Sequence, residues 1–248
     1  MEERYNIEEQ RYYEVLPIKN TVLFPGVLLP IAVSKKNSLK LIKSADKEDR
    51  PIILLTQKDD NQSNPEGKDL YTLGTLAHVI QIIPVPQMGK DTMMTVFEGL
   101  KRIQVNDFKV DENGQLLAQV VEIAEQMPLK SDKQFKVTVD AIKETVLKIL
   151  DTREEVPTGL QATIKTLSNA PTLLNYICAI YPMPSKTKQG LLEIHSLSER
   201  ATALLELLEK DLAEENIKAD VRRRTAEKID QRQREYFLQQ EMETIKKD

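Results

Sequence analysis

Few side chains of this sequence combine the residue types and the spacing that catalysis or metal binding requires. The chain has two histidines, His78 and His195, which are far apart in the sequence. Neither has a Cys or a second His nearby, and metal sites and catalytic sites need converging partners. We therefore interpret His78 as a partly exposed residue on a β face and His195 as one on the flank of a helix.

The only cysteine, Cys178, lies in an apolar stretch with the pattern of a helix. A reactive thiolate needs an electropositive setting, whereas a cysteine among apolar residues behaves as a small hydrophobic side chain. We predict that Cys178 is a buried structural residue rather than a redox thiol. A single cysteine also excludes an intramolecular disulfide and a cysteine-based metal cluster, and it fits a reducing compartment.

Motifs for nucleotide binding and for an activated serine are also missing. Gly67-Lys68 and Gly89-Lys90 lack the upstream glycine of a phosphate-binding loop, and each is followed by Asp rather than by Ser or Thr. No Gly-x-Ser-x-Gly segment occurs. The sequence therefore predicts no catalytic residue, no metal site and no cofactor site in this chain, and no enzymatic activity of its own.

The basic run Arg222–Arg224 could contact the phosphates of a nucleic acid or a nucleotide. The formal net charge of the chain is −4, however, and no aromatic residues interleave with this run. We interpret the run as the solvated face of a long helix, so nucleic acid is not an expected partner.

Two apolar turns stand out as candidate contact surfaces. One is Phe24-Pro25-Gly26-Val27, and the other is the hairpin tip Pro84–Lys90, with Met93 and Met94 just beyond it. Apolar loops that contain methionine can adapt to varied partners. An ordinary hairpin whose methionines fill the core would have the same composition, and the sequence leaves both interpretations open.

Length and composition limit the class of protein. The chain has 248 residues, no Trp and few aromatic residues, so its core must consist of Leu, Ile and Val. The first residues are acidic and polar, unlike a signal peptide. No apolar run approaches the roughly 20 residues that span a membrane. These features predict a soluble cytoplasmic protein.

The first half of the chain has the pattern of an antiparallel β module, and the second half that of helices. Short Val- and Ile-rich runs, separated by Pro and Gly, predict strands at 15–18, 27–33, 51–57, 71–83, 92–98, 100–110 and 116–125, with a helix from Ser34 through Ala45. Asn113-Gly114 is the clearest hairpin turn. We predict an α+β fold in which the sheet curves into an open barrel, since closure protects its edges.

From residue 127 the apolar period changes to about 3.6, which predicts a helical bundle. Its fourth helix begins near Lys186 and contains no Gly or Pro after Gly190. If helical, residues 191–248 would span roughly 87 Å at about 1.5 Å per residue. We predict an apolar root up to Leu212, a solvated middle and an apolar end that docks onto a partner. The docking side chains are Tyr236, Phe237, Leu238, Met242 and Ile245.

Four segments, in the same order along the chain, resemble the amino-terminal region of the Lon protease family. Residues 16–31 (LPIKNTVLFPGVLLPI) resemble the family's opening, and Gln233–Met242 (QREYFLQQEM) resembles the segment just before its ATPase module. Residues 97–102 (FEGLKR) resemble its Glu-Gly-Leu-x-Arg strand, and residues 188–194 (KQGLLEI) the start of its last bundle helix. Together these matches cover nearly the whole chain from Tyr13.

The resemblance implies a homohexameric, ATP-dependent serine protease with a PUA-like recognition domain, a helical bundle, a long helix, an AAA+ motor and a Ser-Lys protease domain. This sequence contains neither the nucleotide-binding motifs nor the catalytic Ser and Lys. ATP and Mg²⁺ are therefore expected only in modules beyond this chain, and Asp248 is not expected to be the natural end of the polypeptide. The implied layout is a flexible arm (1–11), a β-rich recognition domain (12–126), a helical bundle (127–212) and a long helix that leads to the motor (213–248).

The resulting hypothesis is a non-catalytic region that recognises unfolded or damaged proteins for protein quality control and couples them to a hexameric motor. Its expected partners are such substrates and the other subunits of the same protease. The substrate-facing residues would be Phe24, Pro25, Val27, Val85, Pro86 and Met88. The alternative is a free-standing adaptor or inhibitor that binds its partner through the long helix.

Overall fold

The computed structural model describes residues 7–8, 11–89, 91–129, 131–153 and 159–245, with side chains up to Leu238. Most of the predicted arm 1–11, and the hairpin residue Lys90, therefore lie outside the described residues. The strands are β1 Tyr12–Ile18, β2 Leu28–Val33, β3 Ile52–Thr56, β4 Leu73–Pro84, β5 Met93–Val110 and β6 Leu116–Glu122. The helices are α1 Lys36–Lys47, α2 Lys133–Thr152, α3 Leu160–Thr166, α4 Ala170–Ile180, α5 Ser185–Glu193 and α6 Leu197–Ile245. This is the predicted α+β fold.

The six strands form one sheet in the order β2-β5-β4-β3-β1-β6, and β6 also pairs with β5. The extra pairing closes β5, β4, β3, β1 and β6 into a ring, which removes their free edges. The prediction of a curved, barrel-like sheet is thus confirmed. All pairings are antiparallel except that of β1 with β3, which is parallel.

Strand β3 is central in the sheet and is buried over its full length. Successive side chains of a strand point to opposite faces. Ile52 and Leu54 accordingly lie in one apolar cluster, together with side chains of α1, while Ile53 and Leu55 lie in a second cluster. A strand with apolar clusters on both faces has no polar side, which is why its sequence is a continuous apolar run.

Strand β5 is one continuous strand of 18 residues, not the two strands predicted on either side of Gly99. A Cβ atom at Gly99 would lie 2.2 Å from the carbonyl oxygen of Phe24, so only glycine permits this close approach. The Gly99 amide donates to the carbonyl of Val27, and the Gly99 carbonyl accepts from the amide of Gly26. Here glycine fixes the Phe24–Val27 turn against the strand instead of ending the strand.

The long helix predicted from Lys186 onward is two helices, α5 and α6, separated at Ile194–Ser196. No glycine or proline marks this break. The backbone of Gln126 instead accepts a hydrogen bond from the Leu197 amide and donates one to the His195 carbonyl, forming a parallel bridge with Ser196. The break therefore depends on residues far away in the sequence. The start of α1 was also placed wrongly, because its N-cap is Lys35 rather than Ser34.

The chain divides into two compact units. The first comprises the described residues within 1–139 and 167–204, and the second comprises those within 140–166 and 205–248. The boundaries at 126 and 212 stay a prediction. In the first unit, the Asn175 side chain donates to the carbonyl of Pro25 and the Gln189 side chain donates to the carbonyl of Leu73. Helices α4 and α5 are thus bonded to the β-rich part.

The second unit contains most of α2, all of α3 and α6 from residue 205 onward. Arg153 pairs with Asp211 at 2.8 Å, and Lys143 donates to the carbonyl of Lys165 at 2.8 Å. Every side chain from Val221 to Leu238 is exposed. None of the described helices is both long enough and apolar enough to cross a membrane.

Candidate functional site

An exposed apolar face covers the outer side of strands β2, β5 and β4. Cross-strand partners place their side chains on the same face. The register aligns Pro30, Val96 and Gln81 in one row, and Ala32, Met94 and Ile83 in the next. Leu28 lies in a third row with the polar residues Glu98 and His78, and Ile80 lies at the register shift between Val79 and Gln81. We call the first two rows, together with Leu28 and Ile80, the β2–β4 face.

The side chains of the β2–β4 face are accessible to solvent. Leu28 is 56% exposed, Ile80 46% and Ile83 41%, while Met94 and Val96 are half-buried. The intervening residues Ile31, Ile82 and Met93 pack against the core on the other side. The alternation of these strands therefore directs a second set of apolar side chains to the surface, where they contribute nothing to the core.

Strand β2 is an edge strand, and no described strand pairs with its outer side. The Val27 carbonyl points inward to the amide of Gly99. Since backbone groups alternate in direction along an antiparallel strand, the groups of Leu28, Pro30 and Ala32 face outward. Pro30 has no N–H, a common feature of edge strands. The β2–β4 face is thus bordered by backbone groups that an extended peptide could pair with.

The hairpin tip lies directly beyond the Ala32–Met94–Ile83 row. It forms a single turn of 3-10 helix over Pro86–Met88, and the Val85 amide donates to the Thr92 carbonyl. Met88 is 59% exposed and Pro86 is exposed, whereas Val85 is half-buried. The sequence left open whether the methionines near this tip fill the core or lie at the surface. Met93 packs on the core, while Met88 is at the surface.

Two of the six predicted substrate-facing side chains are not at the surface. Phe24 is fully buried and Val27 is 1% exposed, which contradicts a surface role for both in the folded domain. An apolar turn is as suitable for the core as for a partner, and the close contact with Gly99 holds this turn inward. Pro25 is half-buried. Whether Pro25, Val85, Pro86 or Met88 contacts a substrate remains a prediction.

The predicted docking residues Tyr236, Phe237 and Leu238 are all exposed near the end of α6. The rings of Tyr236 and Phe237 meet edge to face, with centroids 6.1 Å apart. These two residues border a shallow depression with Ile229. The side chains of Met242 and Ile245 lie outside the described residues, and docking itself remains a prediction.

The two histidines each have a polar partner close by, and the cysteine is buried. His78 Nε2 lies 2.7 Å from Asp49 Oδ1, and His195 Nδ1 lies 2.8 Å from the carbonyl of Glu193. Burial raises the pKa of the Cys178 thiol to about 12, against the opposing effect of nearby Arg200 and Lys188. Cys178 is therefore a neutral, buried thiol at physiological pH, as predicted.

The basic run on α6 is paired within its own helix. Arg223 and Arg224 both bond the carboxylate of Asp220, at 2.5 and 2.8 Å. Hydrogen bonding to Asp220 raises the pKa of Arg223. Such pairs, three and four residues apart on an exposed helix, are typical of a solvated face.

Sequence reasoning missed Leu28, Ile80, Ile83, Met94 and Val96 as surface residues. The alternation within 28–33 and 93–98 was visible, but both sets of alternating side chains are apolar. Periodicity alone could not tell which set faces the core. Strand register supplied the missing information, because it aligns the exposed residues of three strands into one surface.

The fold is that of the amino-terminal domains of Lon proteases. The solved N-terminal domain of Mycobacterium avium complex Lon protease superimposes with a TM-score of 0.63 at 19% identity, covering 80% of this chain and 98% of that one. The Lon N-terminal domain protein from Xanthomonas campestris superimposes with a TM-score of 0.56 at 13% identity, covering 79% of this chain and 98% of that one.

Residues 12–210 match the family described as the ATP-dependent protease La (LON) substrate-binding domain, and the chain belongs to this family. The Lon protease of Flavobacterium johnsoniae is 32% identical over 247 residues, which are 100% of this chain and 30% of that protein. The Lon protease of Parabacteroides distasonis is 34% identical over 234 residues, 94% of this chain and 28% of that protein. The chain thus spans less than a third of the length of these relatives.

Proposed function

We propose that this domain recognises unfolded or damaged protein substrates through the β2–β4 face. The observation that carries the proposal is that exposed Leu28 and Ile83 and half-buried Met94 lie on the same side of the sheet, with Met94 and Ile83 directly paired and Leu28 two rows away. Contiguous exposed apolar surface marks interaction sites, and misfolded proteins expose apolar side chains that folded proteins bury. The membership of a substrate-binding family supports this assignment.

The proposed binding mode is the addition of an extended segment along the edge of β2. Main-chain hydrogen bonds to Leu28 and Ala32 would hold any sequence, since they do not depend on side chains. Side chains of the bound segment would contact the apolar rows beside the edge. Such a mode suits a domain that must accept many unrelated substrates in their unfolded state.

We further propose that the domain supplies substrates to an ATP-dependent protease of which this chain is a part. The support is the Lon protease relatives, which are about three times as long as this chain. The ATPase and protease activities, with ATP and Mg²⁺, would reside in other modules, and a hexamer of the whole protease would be the assembly that the domain serves. We place this assembly in the cytoplasm, in line with the free thiol of Cys178.

The experiment is fluorescence anisotropy with a labelled, permanently unfolded protein, such as reduced and carboxymethylated α-lactalbumin. The test variant is Leu28→Gln/Ile83→Gln, whose two side chains are 56% and 41% exposed. We expect binding to weaken by about tenfold or more, which corresponds to roughly 1.4 kcal/mol. Native α-lactalbumin should not bind.

The matched control is Val110→Gln, an equally exposed apolar residue at the far end of β5. It removes an exposed apolar side chain from the end of β5 that lies away from the β2–β4 face, and it should leave binding unchanged. A Met88→Gln variant tests the hairpin tip separately. If the Leu28/Ile83 variant keeps its fold and binds as tightly as the unaltered domain, the β2–β4 face is not the binding surface.

A further inference from the structure

All charged side chains that are buried in the described part of the chain are cations. Arg102 is 3% exposed, Lys188 6% and Arg200 0%, and no described Asp or Glu is equally buried. All three residues belong to the first unit, on β5, on α5 and at the start of α6. A buried charge is strongly unfavourable unless an opposite charge and hydrogen bonds compensate for it.

Arg200 is compensated. It donates to the Glu125 carboxylate at 2.5 Å, to Asn175 Oδ1 at 2.9 Å and to the carbonyl of Ile194 at 2.8 Å. Glu125 supplies one negative charge to this cluster, and its carboxylate forms an ion pair with Arg200. Lys188 donates to the carbonyl of Ala179, which supplies a hydrogen bond but no charge.

Arg102 has no hydrogen-bonded counter-charge. Its Nε, Nη1 and Nη2 atoms are all inaccessible to solvent, and none has a hydrogen-bond partner in the described part of the chain. A guanidinium has five N–H donors, so this is the largest unsatisfied polar group among the described buried residues of the first unit. Burial, and then the nearby charge of Arg200, lower the pKa of Arg102 to about 10, with Glu125 acting in the opposite direction. Arg102 therefore remains charged at neutral pH.

Other buried side-chain atoms among the described residues of the first unit also lack a hydrogen-bond partner. Arg200 Nε is a further buried donor without a partner, and Gln189 Oε1 is a buried acceptor without one. Gln189 bonds the carbonyl of Leu73, two residues before Thr75, the cross-strand partner of Arg102. The cluster thus has an excess of donors over acceptors and of positive over negative charge. Water would supply acceptors but no charge, whereas an anion supplies both.

We propose that the Arg102 guanidinium, beside Arg200, binds a small monovalent inorganic anion of the size of chloride. The burial of all three guanidinium nitrogens excludes a peptide, a nucleotide or another large ligand. The ion would accept hydrogen bonds from Arg102 and from Arg200 Nε. Its negative charge would balance that of Arg102, as the Glu125 carboxylate balances that of Arg200. The site links β5 to the first turn of α6, so its occupancy stabilises the first unit.

The first experiment is thermal unfolding of the whole chain in sodium chloride and in sodium gluconate at equal ionic strength. Gluconate is too bulky for a buried site. We expect Tm to be higher in chloride and to increase by roughly 3–6 °C for each tenfold rise in chloride above the dissociation constant. Equal Tm values in the two salts at every concentration would overturn the proposal.

The test variant is Arg102→Met, which keeps the length of the side chain and removes its charge. We expect its Tm to be the same in both salts, and to exceed that of the unaltered chain in gluconate. The control is Arg232→Met on the exposed part of α6, which should keep the chloride dependence. A chloride dependence that persists in Arg102→Met would contradict the assignment.

A crystal of the unaltered chain grown in sodium bromide gives a direct test that needs no variant. Bromide substitutes for chloride and is located by its anomalous scattering. We expect a peak within about 3.5 Å of the Arg102 guanidinium, the range of hydrogen bonds to a large anion. Ordered water in that position, with no anomalous signal, would show that the site holds no anion.

Discussion

The backbone of Gln126 bonds both sides of Ser196. Its amide donates to the His195 carbonyl at 3.0 Å, and its carbonyl accepts from the Leu197 amide at 3.1 Å. This bridge ends α5, begins α6 and brings the first turn of α6 beside the end of the β-rich segment. Arg200, one turn into α6, thereby reaches Glu125, the residue before Gln126.

The pairing of Arg200 with Glu125 predicts a large effect of truncation. Arg200→Ala leaves the half-buried Glu125 carboxylate and the buried amide oxygen of Asn175 without their shared partner. We expect the free energy of unfolding to fall by about 3–5 kcal/mol, the typical result of breaking a buried ion pair. Urea unfolding followed by circular dichroism measures the change. Arg232→Ala, on the exposed part of α6, should change stability by less than about 0.5 kcal/mol.

Gly99 and Gly190 predict effects of opposite sign for the same substitution. Gly99→Ala places a methyl group 2.2 Å from the Phe24 carbonyl oxygen, so the backbone must move. We expect a loss of about 3 kcal/mol, or failure to fold. Gly190 lies in α5 with open space around it. Gly190→Ala should stabilise by about 0.5–1 kcal/mol, because alanine restricts the unfolded chain and favours helix.

A Gly99→Ala variant with unaltered stability would mean that β5 does not approach Phe24 as closely as described. The comparison also separates the two roles of glycine. At Gly99 the absence of Cβ permits contact between two backbones, whereas at Gly190 it serves no such purpose.

Local patterns predicted the strands and most helix positions, because each depends on neighbouring residues. The continuous apolar run of β3 indicated its central position, and Asn113-Gly114 marked the β5–β6 hairpin, with Gly114 at a φ of 77°. The prediction that a strand ends at Gly99 was wrong, because a glycine within a strand pattern can mark either a strand end or close packing of two backbones. The close packing at Gly99 arises from contact with Phe24, which is far away in the sequence.

The break between α5 and α6 and the face formed by β2, β5 and β4 could not be predicted for a related reason. Both arise from pairings between segments far apart in the sequence: Gln126 with Ser196, and β2 with β5. Likewise, the composition of the Phe24–Val27 turn suits either the surface or the core. Its burial follows from the tertiary contact with Gly99.

The buried thiol of Cys178 predicts a specific dependence of stability on pH. Its pKa is raised from 9.0 to about 12 in the folded protein. The unfolded chain then loses this proton first as the pH rises, so the contribution of the neutral thiol is fully present below pH 9 and decreases above it. We expect the free energy of unfolding to fall by about 1.4 kcal/mol per pH unit from this group between pH 9 and pH 12.

Comparison with Cys178→Ala isolates this effect from the titration of other groups. The difference in unfolding free energy between the unaltered chain and the variant should decrease steadily from pH 9 upward and be constant between pH 7 and pH 8. A difference that stays constant up to pH 11 would mean that the thiol is accessible to solvent in the folded state. Thiol labelling at pH 8 gives a second measurement, in which reaction is slow until urea unfolds the chain.

The exposed residues at the end of α6 predict weak self-association at most. Tyr236, Phe237 and Leu238 are consecutive, so they point about 100° apart around the helix axis, and of these three only Leu238 is followed at heptad spacing, by Met242 and Ile245. A stable coiled coil needs such spacing over several heptads, and this stretch has one step of it. We expect light scattering to give the 28.4 kDa mass of a single chain, or a gradual, concentration-dependent rise toward a dimer.

Tyr236→Ser/Phe237→Ser should remove any such rise without changing the unfolding free energy, because both rings are exposed. A stable hexamer of this chain would contradict this expectation.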